Sequence, residues 1–217
     1  EVVFKVEKGK DTYNHTFKEL DKTDKSGKNY TYTVTEKDEV KDFVKRENGL
    51  SVTNEYVIPK IDISFAKKWN GGFEGKEKPR FEVQLFRDGK EYLDKVVIEG
   101  KDKKLEHTWK SLDRTDKNGK EYDYTIKEVL VPKYYKEDIK TIENNETKKK
   151  FEIVNTFSMP KIDIVGKKIW NYGPDKKPDI EVSLLANGKK VDSKKVLDGK
   201  SDFVFKDKDI YDKKGNV

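Results

Sequence analysis

Three kinds of polar residue recur among apolar neighbours in this chain: lysine at Lys67 and Lys168, glutamate at Glu36 and Glu128, and asparagine at Asn54 and Asn155. Lys67 follows Ile61, Ile63 and Phe65 at every second position, and this alternation, that of a half-buried strand, aims it inward. Glu128 follows Tyr122, Tyr124 and Ile126, and Asn155 follows Phe151 and Ile153, in the same way. Burial disfavours charge. An enclosed lysine therefore sheds its proton and becomes a nucleophile, while an enclosed glutamate keeps its proton, by as much as roughly 3–5 pH units for full burial. Each position alone reads equally as a polar residue at the rim of a core, hydrated or ion-paired. Three of them in the order Lys, Glu, Asn call for a shared cause.

The elements that must position these residues are repeated. Ile58-Pro59-Lys60-Ile61-Asp62-Ile63 returns as Met159-Pro160-Lys161-Ile162-Asp163-Ile164. His15-Thr16-Phe17 and Leu20-Asp21 return as His107-Thr108-Trp109 and Leu112-Asp113. Tyr32 to Glu36 matches Tyr124 to Glu128, and Val52-Thr53-Asn54 matches Ile153-Val154-Asn155. Lys168 is the counterpart of Lys67, although Val165 and Ile169 blur its alternation. One complete unit, residues 57–157, is thus flanked by the second part of a unit in 1–56 and the first part of another in 158–217. Strands are expected near 61–69, 80–87, 90–98, 104–110, 122–128, 133–140 and 149–157, with turns at Asn70-Gly71-Gly72, Asp88-Gly89 and Asn118-Gly119. A further strand is expected over Tyr30 to Glu36, with Glu36 facing the core. Seven antiparallel strands in two sheets make an all-β fold of tandem Ig-like or transthyretin-like sandwiches. The short linkers at Pro59 and Pro160 are proline-stiffened and favour a rod.

The Lys67-Lys68-Trp69 and Lys168-Ile169-Trp170 segments, the hairpins from Pro79 to Lys90 and Pro178 to Lys189, the Leu112 to Gly119 segment, Tyr124 to Glu128 and Ile153-Val154-Asn155 resemble the B-type repeats of Gram-positive collagen adhesins, the CnaB domains, also found in pilins. The resemblance covers nearly the whole chain. It implies a small sandwich whose first and last strands are joined by a spontaneous lysine-to-asparagine isopeptide bond. Carried over, Lys67 would be the nucleophile, Asn155 the electrophile and Glu128 the proton-transfer group, donating to the asparagine carbonyl and relaying protons as ammonia leaves. Glu36, Asn54 and Lys168 would be the equivalents in the partial repeats. Each site would react once, so the chain would modify itself and would not be an enzyme with turnover.

Composition is consistent with an exported structural protein. There is no cysteine, hence no disulfide framework. Charged residues make up 41% of the chain, but 48 basic and 42 acidic side chains are interspersed, and no basic block, phosphate loop or RNA-binding aromatic motif accompanies the net charge of +6. Nucleic acid is therefore not an expected partner, nor is membrane insertion in this segment. With two histidines and lysine-rich acidic turns at Asp21 to Gly27 and Asp113 to Gly119, no metal or other cofactor is expected. The expected function is a stalk repeat of a bacterial cell-surface adhesin or pilus-like protein, extracellular, part of a wall-anchored parent and packed on neighbouring repeats. The alternative is an adhesive module that contacts a host protein or glycan through sandwich loops, with Tyr134 and Tyr135 as the aromatic candidates.

Overall fold

Most of the alternating apolar segments become strands in the computed structural model, which describes residues 1–102, 104–197 and 201–217 and holds no helix among them. The chain divides into two compact units, Glu1–Val57 and Ile58–Val217.

In the first unit β1 (Phe43–Asn48) and β2 (Ser51–Tyr56) form an antiparallel hairpin. The strand expected over Tyr30 to Glu36 does not form. Its backbone instead makes scattered bonds, from Tyr30 N to Lys22 O (2.9 Å) and from Val34 N to Gly49 O (3.0 Å). A strand needs an edge to pair with. The first-half strand that would supply one has no counterpart among the described residues of this unit.

The second unit begins with β3 (Lys60–Asn70), β4 (Phe81–Arg87), β5 (Lys90–Glu91), β6 (Val96–Ile98), β7 (Glu106–Asp113), β8 (Tyr124–Glu128), β9 (Tyr135–Asn144) and β10 (Lys148–Phe157). One sheet has the order β7-β3-β10-β9, and in the other β4 pairs with β5, β6 and β8. The expectation of seven antiparallel strands needs two corrections. First, β3 and β10 run parallel, with Ile153 opposite Lys67 and Asn155 opposite Trp69. Second, the strand expected over 90–98 is broken into β5 and β6. Leu93 takes a left-handed φ of 62° there, and the buried Gln84 amide holds the break by donating to Leu93 O (3.0 Å) and Tyr92 O (3.3 Å). The hairpin from β4 to β5 turns at Asp88-Gly89, whose positive φ values of 51° and 74° suit the twist of the flanking strands.

The inner faces of the two sheets meet in a core of Ile63, Phe65, Phe81, Val83, Leu85, Trp109, Tyr124, Ile126, Phe151 and Ile153. Burying each of the larger apolar side chains contributes about 1.5–3 kcal/mol. Asp62 fixes how β7 lies on β3: its Oδ1 accepts from Ser111 N (2.8 Å), where φ is 54° and the register slips between Ile61 and Ile63. This bulge recurs at Asp163 and Asp207 N (2.9 Å). The acidic turns are closed by their own backbone: Asp116 Oδ1 accepts from Asn118 N (2.8 Å) and Lys120 N (2.9 Å), as Asp24 Oδ1 does from Ser26 N and Lys28 N.

The rest of the unit repeats the opening strands. β11 (Lys161–Lys167) pairs with β14 (Asp202–Asp209), and β12 (Ile180–Ala186) pairs with β13 (Lys189–Val196). Tyr211 packs on Phe73 (ring centroids 5.6 Å apart) and its hydroxyl lies 3.2 Å from that of Tyr134. Tyr135 is edge-on to Trp69 at 4.9 Å. Both tyrosines considered as ligand contacts are therefore engaged in packing within the unit.

Candidate functional site

Lys67, Glu128 and Asn155 arrive at one point from three strands. In β3 every second residue from Ile61 to Lys67 is buried, in β8 Tyr124, Ile126 and Glu128 are, and in β10 Phe151, Ile153 and Asn155 are. Lys67 and Asn155 thus project from adjacent parallel strands of one sheet, one diagonal step apart, and Glu128 reaches them across the core from the other sheet.

The Lys67 Nζ donates to Glu128 Oε2 at 2.6 Å, and Asn155 Nδ2 donates to Glu128 Oε1 at 2.9 Å. The carboxyl of Glu128 bridges the two. Both charged side chains are fully enclosed, and Asn155 has no exposed surface. The ammonium also lies 4.8 Å from the ring centroids of Trp69 and Phe81. Burial holds the Lys67 amine below its ordinary pKa, and the hydrogen bond and charge of Glu128, with a further contribution from Glu137, oppose that shift without cancelling it. A lysine whose charged form is disfavoured by burial has the chemistry of a nucleophile, and the Glu128 carboxyl is the group within hydrogen-bond reach of its nitrogen.

The amide nitrogen of Asn155, not its carbonyl, faces Glu128. Its Oδ1 is buried and accepts no hydrogen bond. From this position Glu128 can hand a proton to a departing nitrogen, while the carbonyl points elsewhere.

One further residue belongs to this site and was not singled out from the sequence. Glu137 lies on β9 directly opposite Asn155. Tyr135, Glu137 and Ile139 face inward by alternation, a signal the sequence does contain, but charged Lys136, Asp138 and Lys140 between them obscure it. Burial and the nearby Glu128 raise the carboxyl of Glu137 above the ordinary range, against the pull of Lys67 and Lys127.

The partial repeats do not assemble the trio. Asn54 Nδ2 donates to both carboxylate oxygens of Glu36 (3.1 and 2.9 Å), so this pair recurs, but Asn54 is exposed and Glu36 only half-buried. Lys168 lies just beyond the end of β11, where its Nζ donates to Ile169 O at 2.6 Å and sits 3.9 Å from the Trp170 ring. In neither partial repeat are these groups enclosed as the trio of the complete repeat is: Asn54 is exposed and Lys168 only half-buried.

A family model described as Cna protein B-type domain matches residues 2–55, 63–156 and 164–217. The chain belongs to the Cna B-type domain family. It is 34% identical over 210 residues to a collagen adhesin of Staphylococcus aureus, a match that covers 92% of this chain and 17% of that protein. It also resembles the crystal structure of two B repeat units of the collagen binding protein of the same organism, at 30% identity over 92% of this chain and 53% of that one, with a TM-score of 0.46. For the structure of a single B repeat unit the identity is again 30%, the coverage 65% and 73%, and the TM-score 0.39. The sandwich of β3 to β10 is thus a B-type repeat, and its enclosed trio lies inside the matched segment 63–156.

Proposed function

We propose that this chain is a stalk segment of a bacterial cell-surface adhesin, a tandem array of B-type repeats whose complete member, residues 57–157, locks itself with an isopeptide bond between Lys67 and Asn155. The observation that carries this reading is the fully enclosed Glu128 carboxyl hydrogen-bonded to both partners at once. In the reaction Lys67 passes a proton to Glu128, and the neutral Nζ attacks Asn155 Cγ. As the carbonyl re-forms, the bond to Nδ2 breaks, Glu128 protonates the leaving nitrogen and recovers a proton from Nζ. One amide replaces another and one ammonia is released. The chain acts on itself once and has no turnover.

Kinship with a collagen adhesin over 17% of that protein's length supports placement on the cell surface, within a longer wall-anchored parent. Packing of Tyr134 and Tyr135 inside the unit supports a stalk over a ligand platform. Intact mass of the folded chain tests the reading: it should be lighter than its sequence by one ammonia. Lys67→Ala, Asn155→Ala and Glu128→Ala should each restore the full mass. A wild-type chain at full mass would leave the trio a buried polar cluster.

A further inference from the structure

Two buried oxygens on paired residues accept no hydrogen bond: Asn155 Oδ1 and Glu137 Oε2. They belong to directly opposed residues of the antiparallel pair β9–β10, whose side chains leave the same face with Cβ atoms roughly 4.5–5.5 Å apart. A buried acceptor without a donor is costly, and two such acceptors side by side cost more. One proton removes both deficits. We propose that Glu137 is the second acid of the site: as a neutral carboxylic acid it donates its Oε2 proton to Asn155 Oδ1 and stabilises the oxygen that becomes negative when Lys67 attacks.

The proposal rests on the bond-forming reading above and divides its labour. Glu128 touches the two nitrogens and moves the proton between them. Glu137 stands at the carbonyl, where the electron pair goes when the new bond to Cγ forms and from where it returns when Nδ2 leaves. Its proton stays on the carboxyl throughout, so the overall balance of one amide formed and one ammonia released is unchanged. The groups that face it agree with a neutral form: burial and the charge of Glu128 both favour the proton, and Lys67 and Lys127 oppose them. A preorganised donor at a developing oxyanion contributes about 10²–10³ in rate.

The full chain, refolded from denaturant and quenched in acid at intervals, gives the rate of ammonia loss by mass. Glu137→Leu fills similar space and cannot donate, and it should slow the reaction about a hundredfold or more. Glu137→Gln keeps an N–H donor and should stay within about tenfold of wild type. Equal rates for the two variants, or a leucine variant as fast as wild type, would overturn the proposal. A second measurement does not need the bond to form. In a Lys67→Ala chain carrying 13C-labelled glutamate, the Glu137 carboxyl signal, assigned by its loss in Glu137→Gln, should read as protonated at neutral pH, and an ionised signal overturns the hydrogen bond. Wild type that loses no ammonia would instead sink the bond-forming reading, and the carboxyl signal would still decide the hydrogen bond.

Discussion

Pulled from its two ends, the chain should show no extension from the segment between Lys67 and Asn155, whereas a Lys67→Ala chain should lengthen there by roughly 300 Å, the span of about 90 extended residues. The topology makes this the largest expected effect. Load enters the complete repeat at the start of β3 and leaves at the end of β10, and these strands are parallel neighbours. With the proposed bond in place, force would run along β3 only as far as Lys67, cross the side-chain link to Asn155, and exit two residues later at Phe157. Everything from β4 to β9 lies outside this path. Without the bond, only non-covalent contacts resist, and once they shear the whole intervening chain is released. Force spectroscopy on the two chains checks this, and a wild-type gain equal to that of the variant would contradict it.

The second large effect is on stability. A cross-link that closes a loop of about 90 residues stabilises by about 4–5 kcal/mol through the unfolded state, by analogy with a disulfide. Asn155→Ala should lose that contribution while keeping the Lys67–Glu128 ion pair. Lys67→Ala should lose it and in addition leave Glu128 buried without its cation, a further cost of about 3–5 kcal/mol. The expected order of stability is therefore wild type, Asn155→Ala, Lys67→Ala. Replacing both charges, with Lys67→Met and Glu128→Leu, should return the chain close to the level of Asn155→Ala, because a buried ion pair exchanged for apolar groups is nearly neutral. Hydrogen exchange of the β3 and β10 amides in denaturant measures this locally. Equal protection in all four chains would contradict the account.

Much of this site can be read from alternation alone. Parity placed Lys67, Glu128 and Asn155 on inner faces, and burial in the structure agrees. Parity gives a face, however, and not a partner, so it could not reveal that β3 and β10 run parallel, which brings Lys67 and Asn155 one diagonal step apart. It also failed over Tyr30 to Glu36, where the pattern matches Tyr122 to Glu128 but a strand needs an edge that the first unit does not provide. The break at Leu93 depends on a contact from Gln84 that no local pattern encodes. Glu137 was hidden by the charged residues on either side of it, and only its register against Asn155 brings it into the site.

The most direct test of the central claim is peptide mapping of the folded wild-type chain. Digestion and fragmentation should yield one branched peptide in which the β3 segment holding Lys67 is joined through its Nζ to the β10 segment holding Asn155, and this species should be missing from the Glu128→Ala chain. Recovery of the two segments only as separate linear peptides, with Asn155 intact, would contradict the account.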